Sequence, residues 1–116
     1  MVSAAEQSAL DIVQAARIYT NVYPGGLWWF NFRPSTYRAN MQYRAEALPA
    51  PRSTLVASDA RCIEWCYAKV MLVKRLLAEY LWDQVSRGWL DTEAALYTAR
   101  MWLHDSAQPL YPAPGD

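Results

Sequence analysis

Apolar residues recur at helical spacing in four places along this chain, and the longest of these stretches sets the frame. From Ser58 to Arg87 the sequence SDARCIEWCYAKVMLVKRLLAEYLWDQVSR holds no proline or glycine, and Gly88 follows directly. At 100° per residue Cys62, Ile63, Cys66, Val70, Val73, Leu77, Tyr80 and Leu81 fall on one broad face, opposed by a narrow polar stripe of Arg61, Glu64, Arg75 and Glu79. Trp65, Met71, Leu72, Leu76 and Trp82 lie between them. The pattern predicts one helix over 58–87, about 45 Å long at 1.5 Å per residue. Ser58 is its expected cap, with Asp59 near the positive end of the helix dipole. A helix apolar around so much of its circumference calls for other elements to wrap it.

Three shorter amphipathic stretches supply those elements. Ser3 and Glu6 form a capping box ahead of Ala5, Ala9, Ile12, Ala16 and Tyr19, which share a face, so a helix is expected over 3–20. Pro24, Gly25 and Gly26 stop it. Leu27 to Arg33, LWWFNFR, reads as extended. The run 35–48 has two readings. Tyr37, Met41, Ala45 and Leu48 share a helical face, and RANMQYRAEAL consists mainly of good helix formers. Its strict alternation also fits a strand paired with LWWFNFR, which would give an α+β fold with a hairpin at about 28–45. Alanine is a weak strand former, so helix is the preferred reading. Asp91 caps a last helix over 92–104, with Leu96, Ala99 and Leu103 on its apolar face. The expected fold is mainly α: a compact bundle of about four helices around the long one. Residues 1–105 form a single helical domain and 106–116 a Pro-rich tail.

Composition narrows the function classes. The 116 residues are 53% apolar and 19% charged with a formal net charge of zero, which suits one globular domain and gives no global attraction to nucleic acid. No stretch is apolar for long enough to span a bilayer, and the N-terminus lacks the basic start and apolar run of a signal peptide. Cys62 and Cys66 lie four apart on the long helix, where a disulfide is geometrically poor, so buried reduced thiols and a cytoplasmic location are expected.

Catalytic and metal motifs are missing at this level. Two thiols and the lone histidine, His104, do not make a zinc set, and neither CxxC nor HExxH occurs. His104 reads as a cation at a helix C-terminus. The single glycine pair lacks both phosphate-loop spacings. No cofactor and no metal are expected.

The segment 27–52 carries more information. Arg33, Arg38, Arg44 and Arg52 face a single acid, Glu46, and are interleaved with Trp28, Trp29, Phe30, Phe32, Tyr37 and Tyr43. Arginine and large aromatics are the residue types enriched at interface hot spots. The expected partner-binding residues are therefore Trp28, Trp29, Arg33, Arg38 and Arg44, with another protein as partner. The expected function is a non-enzymatic interaction protein: an assembly subunit, or an inhibitor such as a phage or mobile element encodes. Two alternatives stand beside it. One is a nucleic-acid-binding module, since arginine neutralises phosphate and flat rings stack on bases. The other is a small enzyme or ligand-binding protein.

Overall fold

The computed structural model describes residues 6–27, 33–57 and 59–111. Four α-helices run through them: α1 (Glu6–Ile18), α2 (Pro34–Ala47), α3 (Ile63–Ser86) and α4 (Thr92–Arg100). The mainly α expectation holds, and 34–47 is helix. A hairpin over 28–45 is thereby excluded for the part that is described, while the aromatic residues 28–32 lie outside it. Pro34 opens α2 at its first turn, where the missing N–H has no partner to lose. Asp91 caps α4 as expected, its carboxylate accepting from Ala94 N–H at 2.7 Å.

The long helix begins later than its apolar pattern suggests. Asp59 has φ +42°, a left-handed conformation that cannot continue a right-handed helix, so α3 starts at Ile63 with Cys62 as its N-cap. Its covering is also one-sided. α2 and α4 pack against Val73, Leu76, Leu77 and Leu81, which join Leu27, Tyr37, Met41, Leu55, Ala95 and Trp102 in the main core. Ile63, Tyr67, Met71 and Trp82 stay exposed along the opposite side. Cys62 is exposed and Cys66 half-buried, which corrects the expectation of core thiols: the side of the first turns of α3 that carries them faces away from the core. α1 packs on α2 and closes a second, smaller cluster of Val13, Ala16 and Leu48.

Two short extended segments, 24–27 and 53–57, lie side by side beneath the helices. Thr54 N–H donates to the Pro24 carbonyl at 3.1 Å, and a Cβ on Gly26 would collide with the main chain of Leu55, Val56 and Ala57. Residue numbers climb together across the pair, so the segments run in the same direction. The chain therefore passes extended, helix, extended, helix through 24–27, α2, 53–57 and α3.

Arg44 clamps this pair. It is 3% exposed, and it donates through Nη1 to Ser53 Oγ at 2.8 Å and the Thr54 carbonyl at 2.6 Å, and through Nη2 to the Gly25 carbonyl. Arg52 acts similarly at the end of α1, where its Nη2 donates to the carbonyls of Ala16, Tyr19 and Val22, each at 3.0 Å. The Ala16 carbonyl is one that the end of α1 leaves without an intrahelical partner, and those of Tyr19 and Val22 belong to the turn that follows.

The expected helix over 92–104 changes form near its end. α4 stops at Arg100, and residues Met101–Asp105 make one wider π turn. The Trp102 carbonyl points sideways to accept Leu55 N–H at 2.8 Å, and Ser106 N–H reaches back to Met101 at 3.1 Å. Lending that carbonyl to 53–57 explains the loss of the α-helical ladder.

Two stability results follow. Leu77→Ala is expected to cost about 2–5 kcal/mol, whereas Met71→Ala on the same helix should stay within about 0.5 kcal/mol; urea melts of both variants check this. Arg44→Met is expected to cost at least about 3 kcal/mol, because several buried carbonyls lose a charged donor at once. Arg44→Lys should recover only part of that loss, since an ammonium lacks the planar fork.

Candidate functional site

In units that alternate parallel extended segments with helices, ligands gather beyond the carboxyl ends of the segments. Here those ends are Leu27 and the turn that carries Asp59 into α3. Between them lies Lys69, which comes from the second turn of α3, has no exposed surface, and feels the charge of Asp59. Its Nζ donates to the Leu27 carbonyl at 2.6 Å and lies 5.8 Å from the centre of the Tyr37 ring. The Tyr37 hydroxyl donates to the same carbonyl at 3.4 Å.

Electrostatics at this end are set by burial. Desolvation lowers the Lys69 amine from 10.5 to about 8, and the negative charge of Asp59 pulls it partly back up. The ammonium form still prevails at neutral pH. Burial pushes the Tyr37 phenol up, with Arg44 opposing, so it remains a neutral donor. Asp59 is exposed and is the one described non-glycine residue with positive φ. Backbone held in that region tends to mark functional turns. Arg61, two positions on, is also exposed. The end of the pair thus presents a carboxylate on a left-handed turn, a neighbouring guanidinium, and a buried cation whose charge the carboxylate favours. Such a set can accept a proton and bind an anion. Among the described residues, no three His, Cys, Asp or Glu side chains converge as metal ligands.

A second concavity, of about 690 Å³, opens between α2 and the last turns of α3, with Trp89 and Leu90 at its rim. Its charges are paired with one another. Glu79 accepts from Arg38 at 2.8 Å and Arg75 at 3.1 Å, which holds its carboxyl below the usual range, and Arg87 meets Asp83 at 2.9 Å.

The residues singled out in the sequence do not assemble into one surface. Trp28 and Trp29 lie outside the described residues. Arg33 is exposed just ahead of α2, and Arg38 sits on the outer side of α2 in its ion pair with Glu79. Arg44 faces the opposite way, and its guanidinium is enclosed in the core, where burial lowers it to about 10. The expected use of Arg44 against a partner is corrected accordingly: both of its Nη groups are already committed within the fold, to the Ser53 hydroxyl and to main-chain carbonyls. His104 is exposed, with Nδ1 2.9 Å from Asp105. Lys69 and Asp59 were legible only indirectly, one as a lysine on the apolar face of α3 and the other as an acid closing the short apolar run TLVA.

No protein-family model matches the chain. Curated relatives do: a uronate isomerase of Thermotoga petrophila is 23% identical over 100 residues, and that of Thermotoga neapolitana is 24% identical over 100 residues. Each match takes in 86% of this chain but only 22% of the relative, so the chain spans about a fifth of the length of these enzymes. Among solved structures, the uronate isomerase of Thermotoga maritima superposes with a TM-score of 0.82 over 91% of this chain and 24% of that one, at 22% identity. At that identity the likeness establishes the fold alone. The named relatives nonetheless overturn the expectation of a non-enzymatic interaction protein or inhibitor, because the proteins this chain resembles are enzymes.

Proposed function

We propose that this chain works as a segment of a sugar-acid isomerase of the uronate isomerase kind, and that the turn carrying Asp59 belongs to its reacting site. The observation that carries the reading is the match to uronate isomerases over 86% of the chain, joined to a TM-score of 0.82. The open side of α3 supports the word segment. Ile63, Tyr67, Met71 and Trp82 form an exposed apolar stripe of a kind that a protein normally covers, and further polypeptide of the enzyme is the natural cover. The free thiols Cys62 and Cys66 suit a reducing compartment, and we place the activity in the cytoplasm on that ground. No helix among the described residues is long and apolar enough to cross a membrane.

A uronate carries a carbonyl at one end and a carboxylate at the other. Isomerisation removes a proton from the carbon beside the carbonyl, leaves the electron pair as an enediol C=C while the carbonyl oxygen gains a proton, and then returns a proton to the former carbonyl carbon as the neighbouring hydroxyl gives up its own and becomes the new carbonyl. One positioned carboxylate can carry that proton across. Asp59 is suited to the task by its place at the end of a parallel pair and by the buried Lys69 charge beside it. Arg61 offers a planar fork for the substrate carboxylate.

The test places this chain in the Thermotoga petrophila enzyme in exchange for its matching 100 residues. Conversion of a uronate to its keto isomer is then followed by proton NMR. The folded chimera is expected to convert substrate, and Asp59→Asn within it to lower kcat by at least about 100-fold. Arg61→Met should act mainly on KM. A chimera that is folded by circular dichroism yet inert, or one indifferent to Asp59→Asn, overturns the proposal.

A further inference from the structure

We infer that Lys69 is the positioning residue of the Asp59 turn: its buried ammonium ties the carboxyl ends of the two extended segments together and fixes where the Asp59 carboxylate stands. Its catalytic meaning rests on the reading of Asp59 given above, whereas its geometry does not.

Position 69 faces the core together with Val73, Leu76 and Leu77, where a leucine or methionine would pack without the cost of desolvating a charge. An amine kept in such a place needs compensation, and three groups from separate parts of the chain supply it. The Leu27 carbonyl, at the end of the first segment, accepts at 2.6 Å. The Tyr37 ring of α2 lies 5.8 Å away, with its hydroxyl on the same carbonyl. The Asp59 charge, at the end of the second segment, favours the protonated amine. Lys69 has no exposed surface, so it does not touch a substrate itself and acts through the carboxylate. The left-handed backbone of Asp59 is open to an aspartate more readily than to most L-residues, and attraction to a fixed buried cation favours it further.

Two measurements on the intact chain decide the matter without any assay of activity. The first is amide hydrogen exchange in Lys69→Met and Lys69→Arg. If Lys69 positions the turn, Lys69→Met speeds exchange at residues 59–62 by at least about tenfold while Leu76 to Leu81 keep their protection, and Lys69→Arg restores the turn. Unchanged exchange at 59–62, or an equal loss along all of α3, overturns the inference, since either outcome makes Lys69 mere packing. The second is the titration of Lys69 Nζ by nitrogen NMR in the parent and in Asp59→Asn, a change on an exposed side chain that decides the question even if Lys69→Met does not fold. The parent amine is expected to titrate at about pH 8, and the variant at lower pH because the charge that holds its proton is gone.

Stability follows the same sign. Between about 8 and 10.5 the unfolded chain holds a proton on Lys69 that the folded chain has released, so stability rises with pH over that window. The rise starts earlier in Asp59→Asn. Arg44, which titrates at about 10 when folded, adds to it at the top of the window, while the raised phenols of Tyr37 and Tyr80 oppose it only above their ordinary value of 10.0. A titration that stays put when Asp59 is neutralised overturns the inference. An inert chimera with this coupling intact overturns only the isomerase reading, and an active one without the coupling overturns only the role of Lys69.

Discussion

The guanidinium of Arg44 is the constraint on which the rest of this fold depends. Two extended segments separated in sequence by a whole helix are clamped together by one planar cation, carried on that helix, which donates to carbonyls on both of them and reinforces the Thr54–Pro24 main-chain bond. A parallel pair has no tight turn to set its register, and Arg44 substitutes for one by fixing helix and segments in a single set of hydrogen bonds. With the pair in place, its carboxyl ends are fixed relative to each other. Everything proposed for Asp59 and Lys69 follows from that.

This arrangement also explains how two charged residues can sit in the core of a chain whose net charge is zero. Arg44 and Lys69 are each stabilised in large part by main-chain carbonyls, which are numerous where extended segments end and helices begin. The cations thereby answer the polar needs of a backbone that has left regular secondary structure. The chain buries two costly groups, and in exchange its least regular stretch becomes one of its best specified.

What could be read from the sequence was the helical content, because apolar periodicity and capping are local. α2, the Asp91 cap and the span of α4 follow from residues within a few positions of one another. The start of α3 did not, since SDARC has ordinary helix-opening chemistry and only the tertiary position of Asp59 forces it left-handed. Nor did the inward turn of Arg44. Its spacing on α2 is compatible with either side, and its partners lie on segments too short to leave a strand pattern. The aromatic wealth of the chain suggested a partner surface. On α3 the rings of Tyr67 and Trp82 face outward beside Ile63 and Met71, on the side that α2 and α4 leave open.

The π turn at Met101–Asp105 has a consequence for the length of the chain. It holds one residue more than an α-helical turn needs, and that residue lets the Trp102 carbonyl reach Leu55. Deleting any single residue there would restore an unbroken helix, rotate everything beyond it by about 100°, and withdraw the carbonyl from the segment that leads to Asp59. Length at this point is therefore a physical constraint of its own, beside the burial of Trp102. A smaller residue at Trp102 would open the core, whereas an insertion or deletion would move the carbonyl itself.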